Sequence, residues 1–204
     1  MNRLLLGSGS PRRSELLLQL GLDFDVVRPE IDESKRITES AYEYVSRMSS
    51  EKFRACVDHA RVEPNSVILC ADTIVVIDDK VLGKPESKYA GCEMLKQLSG
   101  RSHQVITSVT VGLGEQNRNK SLSVATKVAF RRLTSDECES YWNTGEPVDK
   151  AGGYGIQGIG AIFVENITGS YSNVVGLPLA ESASLLREFG ISILSPLESG
   201  DRKL

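Results

Sequence analysis

Residues 67–77 read VILCADTIVVI, from Val67 to Ile77, and only two positions in the run are not apolar. The run is too short to cross a membrane, which takes about 20 apolar residues in a helix. Its β-branched content and the turn signal Asp78-Asp79 make it strand: Val67–Ala71 is one, and Ile74–Ile77 continues it or pairs with it. The exceptions, Asp72 and Thr73, sit among apolar neighbours. A carboxylate inside a buried strand is costly unless it is paired, hydrogen-bonded or on a metal. Two readings stand: a bulge that turns Asp72 to solvent, or a metal ligand or general base at a strand end.

Upstream, Arg3–Ser8 reads as a first strand, punctuated by Gly9. Ser10-Pro11 has the order of an N-cap and first helical residue. The helix Arg12–Leu20 carries Leu16, Leu17 and Leu20 on one face and stops at Gly21. Asp23–Arg28 is a second strand, and the polar stretch Glu30–Ile37 leads into a long helix, Thr38–Arg61. That helix has an apolar face through Ala41, Val45, Met48 and Ala55.

Downstream, Ser87–Leu98 is a helix stopped by Gly100. Ser102–Leu113 and Ser121–Leu133 are long strands joined by a polar turn through Glu115–Lys120. Thr134–Glu137 is a capping box that opens a short helix to Asn143. A glycine-rich loop follows at Asp149–Gly158. Ile159–Ile167 and Asn173–Val175 read as strands, and Leu179–Phe189 as a last helix. Strands alternate with helices around a central antiparallel pair. This predicts an α/β fold with a mixed, strongly bent sheet flanked by helices.

The chain has 204 residues, enough for one large domain or two small lobes, and needs no disulfide or structural metal to fold. Lys and Arg number 24 and Asp and Glu 27, a net charge of -3. That balance speaks against nucleic acid as a partner, because such domains are usually basic. It leaves small anionic ligands open, since these need only a local cluster. Cys56, Cys70, Cys92 and Cys138 match no zinc or redox spacing and read as buried free thiols. With no signal-peptide pattern around Leu4–Leu6, the expectation is a cytoplasmic protein with no membrane partner. Ser199–Leu204 is expected to be a flexible tail.

Five further features carry chemistry. GSGSPRR, Gly7–Arg13, lies between a strand and a helix, where backbone N–H groups attract anions. Arg12 and Arg13 in the first helical turn oppose the macrodipole by about 0.3–1 kcal/mol each. Bound phosphate would offset this; solvated arginines on a surface turn are the plainer reading. No GxxxxGK[ST] occurs, and Gly7-Ser8-Gly9 makes only a partial dinucleotide fingerprint, with Arg12 at the third glycine position. Lys52 lies on the apolar face of its helix, either snorkelling to the rim or awaiting an anion in a cleft. Lys84, between Gly83 and Pro85, has a fixed backbone before a helix. Glu33 sits in a polar stretch where most acids are solvated. In DKAGGYGIQG, Asp149–Gly158, four glycines surround Tyr154 and Gln157, whose amide can read a base edge or simply stand in a flexible loop. His103 reads as a structural histidine.

Together these segments resemble the Maf family of nucleotide pyrophosphatases. The resemblance rests on GSGSPRR, Glu51-Lys52, ADT at Ala71–Thr73, GKP at Gly83–Pro85 and SGRSHQV at Ser99–Val105. It continues through DKAGGYGIQG and GSYSNVVGLPL at Gly169–Leu179, and spans nearly the whole chain as a single domain of two lobes. It implies a fold similar to the inosine-triphosphate pyrophosphatases, with a cleft between the lobes. It implies hydrolysis of a nucleoside triphosphate between the α and β phosphates with a divalent cation, Mg²⁺ or Mn²⁺. By position, Asp72 would be the proton acceptor and, with Glu33, would hold the metal. Lys52 and Lys84 would act in catalysis, Ser8 and Arg13 would bind substrate, and Arg12, Thr73 and Gln157 would discriminate the base. The Gly-Ile-Gln-Gly form of the late loop resembles the branch acting on dTTP and UTP, rather than the branch acting on 7-methyl-GTP. The family also implies a possible homodimer and a role as an inhibitor of septum formation.

Overall fold

The computed structural model describes residues 3–59, 62–63, 65–114 and 118–194. The expected tail at Ser199–Leu204, the helix end at Arg61 and part of the turn through Glu115–Lys120 lie outside the described residues.

One mixed sheet of seven strands organises the molecule. The strands are β1 Leu4–Gly7, β2 Asp25–Val27, β3 Val67–Ile77, β4 Lys80–Leu82, β5 Ser102–Leu113, β6 Asn119–Phe130 and β7 Val164–Thr168. Their order is β2-β1-β3-β5-β6-β7, with β4 paired to β3 beyond the end of β1. The helices are α1 Pro11–Gln19, α2 Ala41–Val57, α3 Lys88–Leu98, α4 Ser135–Trp142, α5 Tyr171–Val175 and α6 Leu179–Glu188.

The VILCADTIVVI run is a single continuous strand. It pairs antiparallel with β5 from Val67 to Val76 with no break in register, so no bulge carries Asp72 to solvent. Its other edge is split. β1 runs parallel to it and ends at Gly7 opposite Cys70, while β4 runs antiparallel to it and reaches back only as far as Leu82 opposite Val75. Residues 71–74 therefore have a strand partner on the β5 side only. Asp78 and Asp79 have φ of 48° and 60°, which suits the two-residue hairpin turn into β4.

Alternation along β3 sets the two faces. Val67, Leu69, Ala71, Val75 and Ile77 enter the largest core, with Leu16 and Leu17 of α1, Leu95 of α3 and Leu185 of α6. Ile68 and Cys70 pack under Phe53 and Cys56 of α2, and Ile74 and Val76 under Val45 of the same helix. The four cysteines are buried and free.

Several expected boundaries change. The long helix starts at Ala41, because Ser40 caps it in a box with Glu43. Ile159–Ile167 is not one strand. Residues 159–163 form a 3₁₀ turn and only Val164–Thr168 joins the sheet, because Glu146 accepts hydrogen bonds from the N–H groups of Ile159 and Gly160. Asn173–Val175 is not a strand but part of α5, whose first turn is capped by the Ser170 hydroxyl. An apolar stretch of that length does not display a helical period.

Candidate active site

The gap on the edge of β3 opens into a cleft of about 1050 Å³. Ser8, Arg12, Arg13, Glu33, Lys52, Asp72, Thr73, Lys84 and Gln157 all line it. Parity along β3 divides them. Asp72 faces α2 with Cys70 and Ile74, while Thr73 faces the side of α1 and α5.

On the α2 side three charged groups meet. The Lys52 ammonium lies 2.6 Å from Asp72 Oδ1 and 2.8 Å from Glu33 Oε1. Lys52 and Asp72 are largely buried, whereas Glu33 is more than half exposed. Burial pulls the Lys52 pKa down, but the two carboxylates outweigh it and leave it above its ordinary value. Burial likewise pushes Glu33 up, but the hydrogen bond from Lys52 together with the positive charges of Lys52, Lys84 and Arg13 leaves it below its ordinary value. The carboxylate in the strand is thus paired, as burial demands.

On the other side Arg13 is buried, and each of its three side-chain nitrogens has a partner. Its Nε donates to the Gly176 carbonyl at 2.9 Å, Nη1 to the Ser8 hydroxyl at 3.0 Å and Nη2 to the Thr73 hydroxyl at 3.0 Å. Burial lowers its pKa. Thr73 also lies 3.0 Å from the Thr107 hydroxyl. Arg13 therefore joins the loop after β1, the split edge of β3 and the end of α5. Charge alone in GSGSPRR does not reveal this bridging role.

At the mouth, Arg12 Nη1 lies 3.4 Å from Asp149 Oδ2, while Lys84 forms no ion pair among the described residues. The Gly83 carbonyl accepts from Gly152 N–H at 3.0 Å, which ties the Lys84 turn to the glycine loop. Gln157 is exposed at the tip of that loop. Glu146 holds the loop in place. It accepts from Tyr141 Oη at 2.7 Å, Ile159 N at 2.8 Å and Gly160 N at 3.1 Å. No signal near Glu146 in the sequence marked this role. Arg28, also missed, lines the mouth beside Gly9.

No group of three His, Cys, Asp or Glu side chains able to hold a metal occurs among the described residues. The two carboxylates that converge on Lys52 do suit a Mg²⁺-type ion. Such an ion is typically held by one or two carboxylates, with waters and substrate phosphates completing its shell. The dinucleotide reading fits less well: Asp25 opens β2 rather than closing it, and is paired with Arg3 at 2.7 Å. No helix among the described residues is long and apolar enough to cross a membrane.

Two relatives are similar to this chain over nearly their whole length. A dTTP/UTP pyrophosphatase of Vibrio parahaemolyticus is 54% identical, covering 91% of this chain and 96% of the relative. One of Hahella chejuensis is 46% identical, covering 95% of each. Among solved structures, a dITP/XTP pyrophosphatase of Mycobacterium abscessus is 16% identical with a TM-score of 0.41, over 64% of this chain and 74% of that one. A family profile described as Maf-like protein matches residues 3–189. That match takes in all seven strands and both faces of the split in β3, and the chain belongs to the Maf family.

Proposed function

We propose that the protein hydrolyses nucleoside triphosphates, dTTP and UTP above others, to the monophosphate and pyrophosphate with a divalent cation. The observation that carries the reading is the split edge of β3, where Asp72, Lys52 and Glu33 meet on one side and Arg13, Ser8 and Thr73 on the other. The names of the relatives support the choice of pyrimidine nucleotides.

A triphosphate carries several negative charges, and in-line attack moves more charge onto the leaving pyrophosphate. Lys52 and Lys84 stabilise that charge electrostatically, and Ser8 and Arg13 shape the phosphate end of the cleft. Asp72 accepts the proton of the attacking water. Lys52 pairs with it at 2.6 Å. Arg12, Thr73 and Gln157 complement the acceptor–donor–acceptor edge of uracil or thymine, and a purine fits less well. Glu33 and Asp72 would hold the cation. When bound, such a cation would supply Lewis-acid stabilisation of the charge developing on the phosphates.

The test is pyrophosphate release from a panel of nucleoside triphosphates with Mg²⁺ or Mn²⁺. Release is expected from dTTP and UTP first and from purine nucleotides more slowly. No release from any triphosphate would overturn the reading. Nucleotide binding without release would instead favour a nucleotide-responsive regulator of cell division.

A further inference from the structure

Glu33 belongs to a segment, residues 28–40, that is neither helix nor strand and is exposed over most of its length. Ile37 contributes nothing to a core. Nothing within the segment fixes where the Glu33 carboxylate points. Asp32 accepts from Ser34 N–H at 2.9 Å, which shapes the local turn and does not anchor it to the body.

The anchors come from α2. Tyr44 Oη donates to the Glu33 carbonyl at 2.7 Å, and Arg47 Nη2 donates to the Ser34 carbonyl at 2.8 Å. The same guanidinium grips Glu39 at the far end of the segment through Nε and Nη2, the latter at 2.8 Å. Its Nη1 lies 3.2 Å from Glu51 on its own helix. The Arg47 and Glu39 side chains are only 14% and 11% exposed, unlike the neighbouring Arg36–Glu51 pair, whose arginine is 66% exposed. The guanidinium also lies 5.7 Å from the centre of the Tyr44 ring. Tyr44 and Arg47 are three residues apart and share one helix face. Arg47 does not line the cleft, so any effect on turnover must pass through something else.

We propose that Arg47, seconded by Tyr44, is a positioning residue that holds Glu33 against Lys52 and Asp72. A planar fork with donors on three separate nitrogens can span a backbone carbonyl and two carboxylates in fixed directions, a reach that the single nitrogen of a lysine lacks. This inference rests on the pyrophosphatase reading above.

The test is a double-mutant cycle on pyrophosphate release from UTP, using Glu33→Ala, Arg47→Ala and the double variant. Arg47→Ala is expected to lower kcat by about 10–100-fold, the range for outer partners of site ligands, with little change in KM. The double variant is expected to be no slower than Glu33→Ala alone. Arg47→Lys should recover part of the loss. Binding of a non-hydrolysable UTP analogue, read by calorimetry, should likewise change little in Arg47→Ala. If the losses multiply in the double variant, or Arg47→Ala keeps the wild-type kcat, the proposal is overturned. Should Arg47→Ala fail to fold, Tyr44→Phe decides the matter. It is expected to slow turnover in the wild-type background and not beside Glu33→Ala, and equal slowing in both overturns the proposal. A wild-type protein that releases no pyrophosphate overturns the function and this inference with it. An active wild type with multiplying losses overturns this inference alone.

Discussion

Asp72 and Thr73 are neighbours in the chain, yet they serve opposite faces of the sheet. Asp72 was conspicuous in the sequence because it is a carboxylate within an apolar strand, and such a group must have a partner. The pairing with Lys52 was not legible: the residues showed a lysine on an apolar helix face, and the family resemblance gave it a catalytic role without naming Asp72 as its partner. The substitution Asp72→Asn is expected to abolish proton acceptance while leaving Lys52 paired with Glu33. Turnover should drop by at least about 100-fold, with circular dichroism and some nucleotide binding unchanged. Near-normal kcat in steady-state assays would remove Asp72 from its role. Arg13 was the harder residue to read. Its number of partners is set by residues 8, 73 and 176, which no local window contains.

At the scale of elements, the join between β1 and α1 depends on a missing side chain. A Cβ on Gly7 would lie 2.2 Å from Cys70 Sγ and 2.6 Å from Cys56 Sγ, two thiols that themselves sit 3.8 Å apart. Gly7→Ala is expected to destabilise the protein by about 1–3 kcal/mol, as overpacking does. Because Cys70→Ala removes the nearest clash, the double variant should be more stable than the sum of the singles. Urea denaturation of the three proteins checks this. The glycine loop depends in turn on Glu146, thirteen residues before the first backbone N–H it holds. Glu146→Ala leaves two N–H groups and the Tyr141 hydroxyl without their acceptor, which should cost about 1–3 kcal/mol. Amide exchange at Ile159 and Gly160 should quicken, and kcat/KM for UTP should fall as Gln157 loses its mooring. Unchanged exchange at both amides would refute the account. Long elements were legible because they repeat their period several times. The misread ones, residues 159–163 and α5, are short and fixed by a distant carboxylate or a cap.

For the whole molecule, the pH dependence of stability has a buried source. His103 lies 2.8 Å from the Tyr154 hydroxyl through Nε2, while Nδ1 has no hydrogen-bond partner among the described residues. Burial pushes its pKa down to about 4. An unfolded chain holds a histidine near about 6.5, so below that pH the unfolded state binds a proton that the folded state refuses. Stability is therefore intact above about pH 6.5, is lost as pH falls toward about 4, and levels off below; the loss is about 3 kcal/mol. Urea midpoints for the wild type and His103→Asn, compared at pH 7.5 and 4.5, should show the variant losing less on acidification. An equal loss would place the acid sensitivity elsewhere. The net charge of -3 gave no hint of the cleft, where cations and carboxylates lie a few ångströms apart. The sequence by itself determined the alternation of strands and helices and the apolar run of β3, because these are local patterns of period, polarity and capping, while the set of cleft residues followed from the resemblance of its ordered motifs to a family. Only the tertiary structure decided that β1 ends where β4 has not begun, which Arg13 contacts join the two sides, and what holds Glu33 in place. Those depend on strand pairing and packing between distant residues, which no local pattern encodes.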